Sequence, residues 1–205
     1  MHPDTHVIVF AKAPIPGQVK TRLVPTIGAE AAARLAERLL FDTLDRVARS
    51  GVASVELCCT PDAEHPALRA GATRIGARLS IQHGADLGAR MGAAFQCALA
   101  GHRRVLLIGT DCPALDRTAL TAADNVLASG HDAVFIPACD GGYVLIGMSR
   151  FDAALFTDIA WGCDQVMAET EMRLATLGWR WAKLASLPDI DRPEDLTKIP
   201  AEWYA

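Results

Sequence analysis

The order of hydrophobic and polar residues along this chain is typical of strands that alternate with helices. Short apolar runs rich in β-branched residues predict buried strands, because they are too short for a buried helix. Stretches in which apolar residues recur every three or four positions predict amphipathic helices. The predicted strands are at 7–10, 52–60, 79–83, 105–108, 133–136 and 143–147, with a last extended stretch at 179–187. The predicted helices are at 32–47, 87–99, 115–128 and 166–177.

This alternation predicts one α/β domain over residues 1–205, built as a three-layer α/β/α sandwich with a mostly parallel sheet. Ligands of such sheets bind beyond the carboxyl ends of the strands. The loops in question follow Phe10, His83, Ile108 and Ile136, and all four are polar or rich in glycine. We therefore expect these loops to form one site.

The first of these loops carries cations beside proline and glycine. Lys12 and Lys20 are two of only four lysines in the chain, and they flank Pro16 and Gly17, with Arg22 close behind. A glycine turn between a strand and a helix can wrap a phosphate, so these five residues are predicted to bind nucleotide phosphates. A surface turn with solvated cations is the alternative. The spacing matches neither a P-loop nor a dinucleotide-binding motif.

Asp111 stands directly after the most strand-like run of the chain, within the sequence Gly-Thr-Asp-Cys-Pro. One carboxylate at this point suits Mg²⁺, which takes one or two protein carboxylates and completes its shell with phosphate oxygens and water. Capping of the next helix is the alternative role, but Asp116 is better placed for it. Asp189 and Asp191 lie on the same side of a later extended segment, and either could supply a second carboxylate.

Two further segments are candidates for the other side of the site. Asp140, Gly141 and Gly142 join two apolar runs, and local sequence favours a plain hairpin turn there. Paired glycines at this edge of the sheet would also allow a ligand close to the backbone. Trp161 could form a wall for an acceptor, although an aromatic residue before a helix more often packs in the core.

Composition limits the classes of partner. The chain has a net charge of −4, with 51% hydrophobic and 21% charged residues, which argues against a general nucleic-acid or membrane-surface protein. The start lacks the pattern of a secretory signal, and no apolar run approaches membrane-spanning length. Six cysteines without C-x-x-C spacing indicate reduced thiols, so we expect a cytoplasmic protein. The sequence leaves the oligomeric state open.

Five motifs closely resemble, in chain order, a bacterial family provisionally classed as type-A glycosyltransferases. The motifs are FAKAPIPGQVKTRL, GADLGARM, LIGTDCPAL, CDGGYVLIGM and DIDRPEDL. The family is also called radical-SAM/selenodomain-associated transferase 1, or DUF2064. It is similar to the nucleotide-diphospho-sugar transferase superfamily, which includes the molybdenum-cofactor and 2-phospholactate nucleotidyltransferases. The resemblance spans nearly the whole chain and implies the type-A glycosyltransferase fold.

The resemblance also implies roles for individual residues. Lys20, Arg22 and Asp111 would be catalytic, and Asp111 with Asp191 would hold Mg²⁺ or Mn²⁺. The remaining implied contacts fall into two groups: Asp86, Gly88 and Arg90 near the base or sugar of the nucleotide, and Asp140, Gly141, Gly142, Tyr143 and Trp161 near the acceptor. The chain departs from the family pattern at Cys163, where Ser or Thr is expected. Its single acid at 111 differs from the Asp-x-Asp of many sugar transferases.

The function predicted from these observations is a Mg²⁺-dependent transferase that moves a glycosyl or nucleotidyl group from an activated nucleotide to a small acceptor. The donor would be a nucleotide sugar or a nucleoside triphosphate. A hypothesis from a different class is a non-catalytic nucleotide-binding or partner-docking module that retains the fold. The sequence does not identify the nucleobase, the sugar or the acceptor.

Overall fold

The strands and helices of the computed structural model follow the hydrophobic pattern of the sequence. The structure describes residues 1–204. Its strands are β1 (Thr5–Lys12), β2 (Ser54–Thr60), β3 (Arg78–Ile81), β4 (Arg104–Ile108), β5 (Ala133–Pro137), β6 (Tyr143–Met148) and β7 (Trp181–Lys183). Its helices are α1 (Val24–Ile27), α2 (Ala29–Arg49), α3 (Pro66–Ile75), α4 (Leu87–Leu99), α5 (Arg117–Ala128) and α6 (Val166–Thr176). Short 3₁₀ helices lie at Ala153–Leu155, Pro193–Lys198 and Ala201–Trp203.

The strands form one sheet in the order β3-β2-β1-β4-β6-β5-β7. β6 runs antiparallel to both of its neighbours, whereas the other neighbouring pairs are parallel. The mostly parallel sheet predicted from the sequence is confirmed. The hairpin interpretation of Asp140, Gly141 and Gly142 is also correct, because β5 and β6 pair directly on either side of this turn.

Alternate strand residues point to opposite faces of the sheet, and both faces are covered. Val7 and Val9 of β1 belong to the same buried cluster as Leu44 of α2. Ile8, between them, belongs to a second cluster with Phe95 of α4. Because helices bury both faces, the central strands are nearly continuous hydrophobic runs. The predicted three-layer sandwich is therefore confirmed.

A third, smaller cluster holds the C-terminal segment against α2 and the end of the first loop. Ile190 and Leu196 are buried there beside Leu23, Leu35 and Leu39. This packing carries the segment around residue 190 to the carboxyl end of the sheet, and the amide N–H of Ile190 donates to the carbonyl of Asp111 at 2.8 Å.

Helix α3 does not appear among the predicted elements. It begins at Pro66 after His65, whose ring nitrogen accepts a hydrogen bond from Ala67 N–H at 3.2 Å, and Gly76 ends it in the left-handed conformation. Only Leu68 and a few small residues are buried on this helix, so its periodic signal is weak. The last extended stretch pairs with β5 over the three residues of β7, and Leu187 forms a further isolated bridge with Ala138.

No helix within residues 1–204 combines the length and the apolar composition needed to cross a membrane.

Candidate active site

Two neighbouring cavities open at the carboxyl edge of the sheet. The first, which we call the cationic cavity, has a volume of about 470 Å³, and its charged lining residues are Lys12, Lys20, Arg22, Arg90, Asp111 and Asp191. The second, the apolar cavity, has a volume of about 340 Å³ and is walled mainly by apolar and aromatic side chains, with acidic groups at one end. The two cavities share Phe10, Leu87, Gly109 and Asp111, so they are parts of one cleft.

Lys20 lines the cationic cavity and pairs with Asp111, which lines both cavities. Its side chain is only 4% exposed, and its Nζ lies 2.7 Å from Oδ1 of Asp111. The same Nζ also donates to the carbonyl of Ile190. The backbone of Lys20 has φ +48°, a left-handed conformation that side-chain-bearing residues seldom adopt and that clusters at functional sites. β1 and β4 are adjacent, which explains how Lys20 and Asp111 meet although they are far apart in sequence.

A second ion pair borders the cationic cavity. Arg22 pairs with Asp191 and is itself half-exposed, so it can still turn toward an anion in the cleft. Asp195 orders this segment, because its carboxylate accepts from the backbone N–H groups of Asp191 at 3.0 Å and Arg192 at 2.7 Å. Lys198 pairs with the other oxygen of Asp195 at 2.7 Å.

The acidic residues of the cleft supply oxygen ligands of the kind that Mg²⁺ takes. Within the described chain, however, no group of three or more His, Cys, Asp and Glu side chains is arranged to hold a metal ion. Asp111 remains 49% exposed despite its pair with Lys20, which leaves room for a cation beside it. Burial, reinforced by the negative charges of Asp140, Asp111 and Asp191, raises the pKa of Asp189. Asp111 and Asp191, with the further negative charge of Asp189 nearby, fit a divalent cation whose remaining ligands come from phosphate and water.

Two of the residues predicted to contact the nucleotide, Asp86 and Gly88, contact other parts of the protein. Asp86 caps α4 by accepting from Ala89 N–H at 2.8 Å. Gly88 packs so tightly on Phe156 and Trp161 that a side chain would come within 3.0 Å of both. Neither of them lines the cationic cavity, nor do Pro16 and Gly17. In this structure Asp86 and Gly88 serve the cap and the packing of α4, and their contact with a base or sugar stays a prediction.

Lys12 and Arg90, by contrast, do line the cationic cavity with Lys20 and Arg22. Arg90 is held by its Nε, which donates to the carbonyl of Gly84 at 3.2 Å. Gln82 also lines this cavity and was not predicted; its amide nitrogen donates to the carbonyl of Cys58 at 3.0 Å. The signal that could have found Gln82 is its place near the carboxyl end of the strand predicted at 79–83, next to one of the four loops singled out above.

The predicted acceptor residues lie at the apolar cavity. Asp140, Gly142, Tyr143 and Trp161 all line it. Gly141 does not; it turns with φ +93° and packs against the backbone of Asp164. The hydroxyl of Tyr143 is buried without a hydrogen-bond partner, and burial raises the pKa of this group.

Comparisons with known proteins relate the chain to one family and to several structures of the same fold. The family described as "Uncharacterized protein conserved in bacteria (DUF2064)" matches residues 43–163. A structure from Desulfovibrio desulfuricans G20, provisionally assigned as a nucleotide-diphospho-sugar transferase, is similar with 33% identity and a TM-score of 0.84, over 93% of this chain and 84% of that one. No curated protein matches the chain.

Two more distant structures share the fold. The 4-diphosphocytidyl-2C-methyl-D-erythritol synthase of Anaerococcus prevotii DSM 20548 has a TM-score of 0.61 at 14% identity, over 95% of each chain. Glucosyl-3-phosphoglycerate synthase of Mycobacterium tuberculosis, in complex with Mn²⁺, UDP and glucosyl-3-phosphoglycerate, has a TM-score of 0.55 at 12% identity, over 95% of this chain and 74% of that one. By their names, the first makes a diphosphocytidyl compound and the second a glucosyl compound, so the fold alone does not select between nucleotidyl and glycosyl transfer.

Proposed function

This chain belongs to the DUF2064 family of bacterial proteins, and on that basis we propose that it is a transferase that uses an activated nucleotide as its donor. The observation that carries the proposal is the buried Lys20, fixed 2.7 Å from Asp111 beside a cavity with three further cations. A buried, oriented ammonium group is suited to the phosphates of a nucleotide and to the negative charge that grows on them as they depart.

The cations that line the cationic cavity would have different roles, according to their position and exposure. Lys20 is rigid, because it is buried and bonded to two partners, so it would stabilise the departing phosphate. Arg22 is half-exposed beside the cavity, so its guanidinium could donate to phosphate oxygens while it stays paired with Asp191. Lys12 and Arg90 would add charge along the rest of the donor. Together these groups orient the donor and hold its phosphates in place.

We further propose Mg²⁺ or Mn²⁺ as the cofactor, held by Asp111 and Asp191. When bound, such a cation neutralises charge on the phosphates of the donor. The ion pairs of these two carboxylates with Lys20 and Arg22 keep them oriented toward the cleft. Each carboxylate has two oxygens and several lone pairs, so pairing with a side chain leaves capacity for a second positive partner.

The donor site is tested by nucleotide binding. In the presence of Mg²⁺, UDP, CDP, GDP and their triphosphates are titrated into the protein by calorimetry. We expect at least one nucleotide to bind, and Lys20→Met to abolish that binding or weaken it by about 100-fold or more, since it removes the buried cation. Lys183→Met is the matched control, because Lys183 pairs with Glu171 on the surface outside the cleft. Equal binding by Lys20→Met and wild type would contradict the assignment.

The reaction and the metal are tested by product analysis. Release of diphosphate from a nucleoside triphosphate identifies nucleotidyl transfer, and release of a nucleoside diphosphate from a nucleotide sugar identifies glycosyl transfer. Asp111→Asn should lose turnover in either case, with folding checked separately because it leaves Lys20 buried without its carboxylate. Full turnover by this variant would exclude the metal assignment. Nucleotide binding without product in any screen would favour the non-catalytic module.

A further inference from the structure

The charge distribution differs sharply between the two halves of the cleft. No Lys, Arg or His of the described residues lines the apolar cavity, whereas Asp111, Asp140 and Asp189 do. Lys20 balances the charge of Asp111. Within residues 1–204, neither Asp140 nor Asp189 forms an ion pair within 4.0 Å with Lys or Arg, and the charges that bear most on Asp189 are other carboxylates. The polar end of the apolar cavity is therefore negative.

The rest of the cavity suits a ring-sized apolar group. Its walls include Phe10, Met91 and Ile146 from the sheet and from α4, with Trp161 on the far side. Trp161 meets Tyr143 edge to face, with ring centroids 6.4 Å apart. Cavities of this size and lining bind small molecules mainly through apolar contact, with a few polar groups that set orientation.

Tyr143 is an independent sign that a ligand belongs here. Its side chain lines the cavity, and its hydroxyl is buried without a hydrogen-bond partner. A buried hydroxyl without a partner costs free energy, so such groups are uncommon unless something completes their hydrogen bonds. A polar group on a molecule in the cavity would provide that partner.

From this geometry we propose that the apolar cavity binds the acceptor, and that the acceptor is an alcohol or amine on an apolar, ring-sized body, without phosphate or carboxylate groups. This inference rests on the proposed function, since an acceptor presupposes a donor. Because the donor phosphates would take up the charge of the proposed metal ion, an anionic acceptor would face Asp140 and Asp189 with no Lys, Arg or His in the cavity wall to offset the repulsion. A neutral or positively charged nucleophile meets no such barrier.

An acceptor of this class limits the reaction to attack by a hydroxyl or an amine. The oxygen or nitrogen of the acceptor forms the bond to the transferred group, and the bond from that group to the nucleotide phosphate breaks with its electron pair on the phosphate. The proton of the hydroxyl or amine passes to Asp140, whose carboxylate lines the acidic end of the cavity. Nucleotidyl transfer to an acceptor phosphate is the branch that this charge distribution disfavours.

Four probes with one phenyl body test the charge rule: 3-phenylpropanol, 3-phenylpropylamine, 3-phenylpropionate and phenethyl phosphate. Their binding to the full chain is measured by saturation-transfer NMR and titration, in the absence of divalent cations. We expect the alcohol and the amine to bind at this cavity, and the two anions to bind at least about tenfold more weakly. Anions that bind as well as the alcohol, or the absence of binding by all four probes, would overturn the inference.

Variants assign the effect to the named residues. Asp140→Asn and Asp189→Asn should each improve binding of the anionic probes by about fivefold relative to the alcohol, because each removes one negative charge. Glu37→Gln, on the surface of α2 and outside the cleft, is the charge-matched control. Tyr143→Phe keeps the ring and should weaken the alcohol by about fivefold while leaving ethylbenzene unchanged. An unchanged preference in all three cleft variants would refute the assignment.

These measurements are independent of the donor site. Lys20→Met lies outside the apolar cavity and should retain binding of the phenyl alcohol while losing the nucleotide. Nucleotide binding with no preference among the four probes therefore refutes the acceptor inference alone. If the probes bind but no nucleotide does, the donor proposal is refuted. The molecule that binds in the apolar cavity could then not be called an acceptor.

Discussion

Buried charges in this protein are matched by specific neighbours at both ends of the sheet. Lys20 is matched by Asp111 and a backbone carbonyl at the carboxyl end. At the opposite end, Glu56 is buried on β2, with His6 Nε2 at 3.4 Å and hydrogen bonds from Arg78 and Ser80. Burial alone raises the pKa of Glu56, but the hydrogen bonds from His6, Ser80 and Arg78 outweigh it and lower the pKa to about 2.

Glu56 is predicted to make the protein sensitive to acid. Its carboxyl has an ordinary pKa near 4.5 when unfolded and about 2 when folded, so folding favours the ionised form. This contribution is complete above about pH 5 and is lost as the pH falls toward 2. It amounts to roughly 3 kcal/mol in the free energy of unfolding. Urea unfolding of wild type and Glu56→Gln at several pH values measures this contribution, as the difference between the two proteins in how the free energy of unfolding changes with pH.

The control for this experiment is Glu37→Gln, since Glu37 lies on the exposed surface of α2. Its unfolding free energy should follow the wild-type pH dependence. Parallel curves for wild type and Glu56→Gln between pH 5 and 2 would show that the buried network contributes nothing to acid stability.

The sequence identified many cleft residues before their neighbours were known. Lys20, Arg22 and Asp111 stood out because cations and a carboxylate followed buried strands. The functional roles of these residues stay predictions. Asp189 and Asp191 could not be separated from sequence, because the side-chain directions of an irregular segment depend on its packing. In the structure Asp191 faces Arg22 and the cationic cavity, while Asp189 lines the apolar one.

At the scale of elements, local signals located those with strong periodicity or clear ends. The predicted α4 matches the observed helix, with Asp86 as its cap, because apolar spacing and capping chemistry agree there. The short helices α1 and α3 lack that agreement and were missed. The role of Gly88 on α4 was also hidden, because it depends on how closely the loop at Phe156 and Trp161 approaches the helix.

Two glycines on the same face of α4 provide a matched prediction. A methyl group at Gly88 would come within 3.0 Å of the Phe156 backbone and of Trp161, so Gly88→Ala should destabilise the fold by about 1–3 kcal/mol. At Gly92 the nearest atom would be a Phe156 ring carbon at 3.5 Å, an ordinary contact. Gly92→Ala should therefore stabilise the helix by about 0.5–1 kcal/mol. Urea unfolding at neutral pH measures both.

Opposite signs for the two variants are the expected outcome. If Gly88→Ala were as stable as Gly92→Ala, the close packing of α4 on the loop that carries Trp161 would be wrong. The position of Trp161 in the wall of the apolar cavity would then also be wrong.

At the scale of the whole molecule, the net charge and the local field have opposite signs. The chain carries a net charge of −4, yet four cations and two carboxylates line the cationic cavity. A local positive field in an acidic protein favours a small anionic ligand over an extended one such as a nucleic acid. Sequence composition indicated the exclusion of nucleic acid, and the tertiary structure supplied the place where the positive charges gather.

Salt should therefore weaken nucleotide binding. Between about 0.05 and 0.5 M NaCl, the dissociation constant of the preferred nucleotide is expected to rise by roughly tenfold, because added ions screen the exposed Arg22 and its neighbours. Calorimetric titration at several salt concentrations measures the change. The corresponding nucleoside, which lacks phosphates, is the control and should show little dependence; an equally flat response for the nucleotide would argue against phosphate contacts in this cavity.

The alternation of strands and helices, the three-layer class and the loops at which charged residues gather can all be derived from the amino-acid sequence. These properties follow from hydrophobic periodicity and from the rule that such loops meet at one edge of a parallel sheet. The pairing of the charges and the division of the cleft into a cationic and an apolar half depend on the folded arrangement of the chain. That division depends on β1 lying beside β4 and on Ile190 packing against α2, contacts between distant segments that no local pattern encodes.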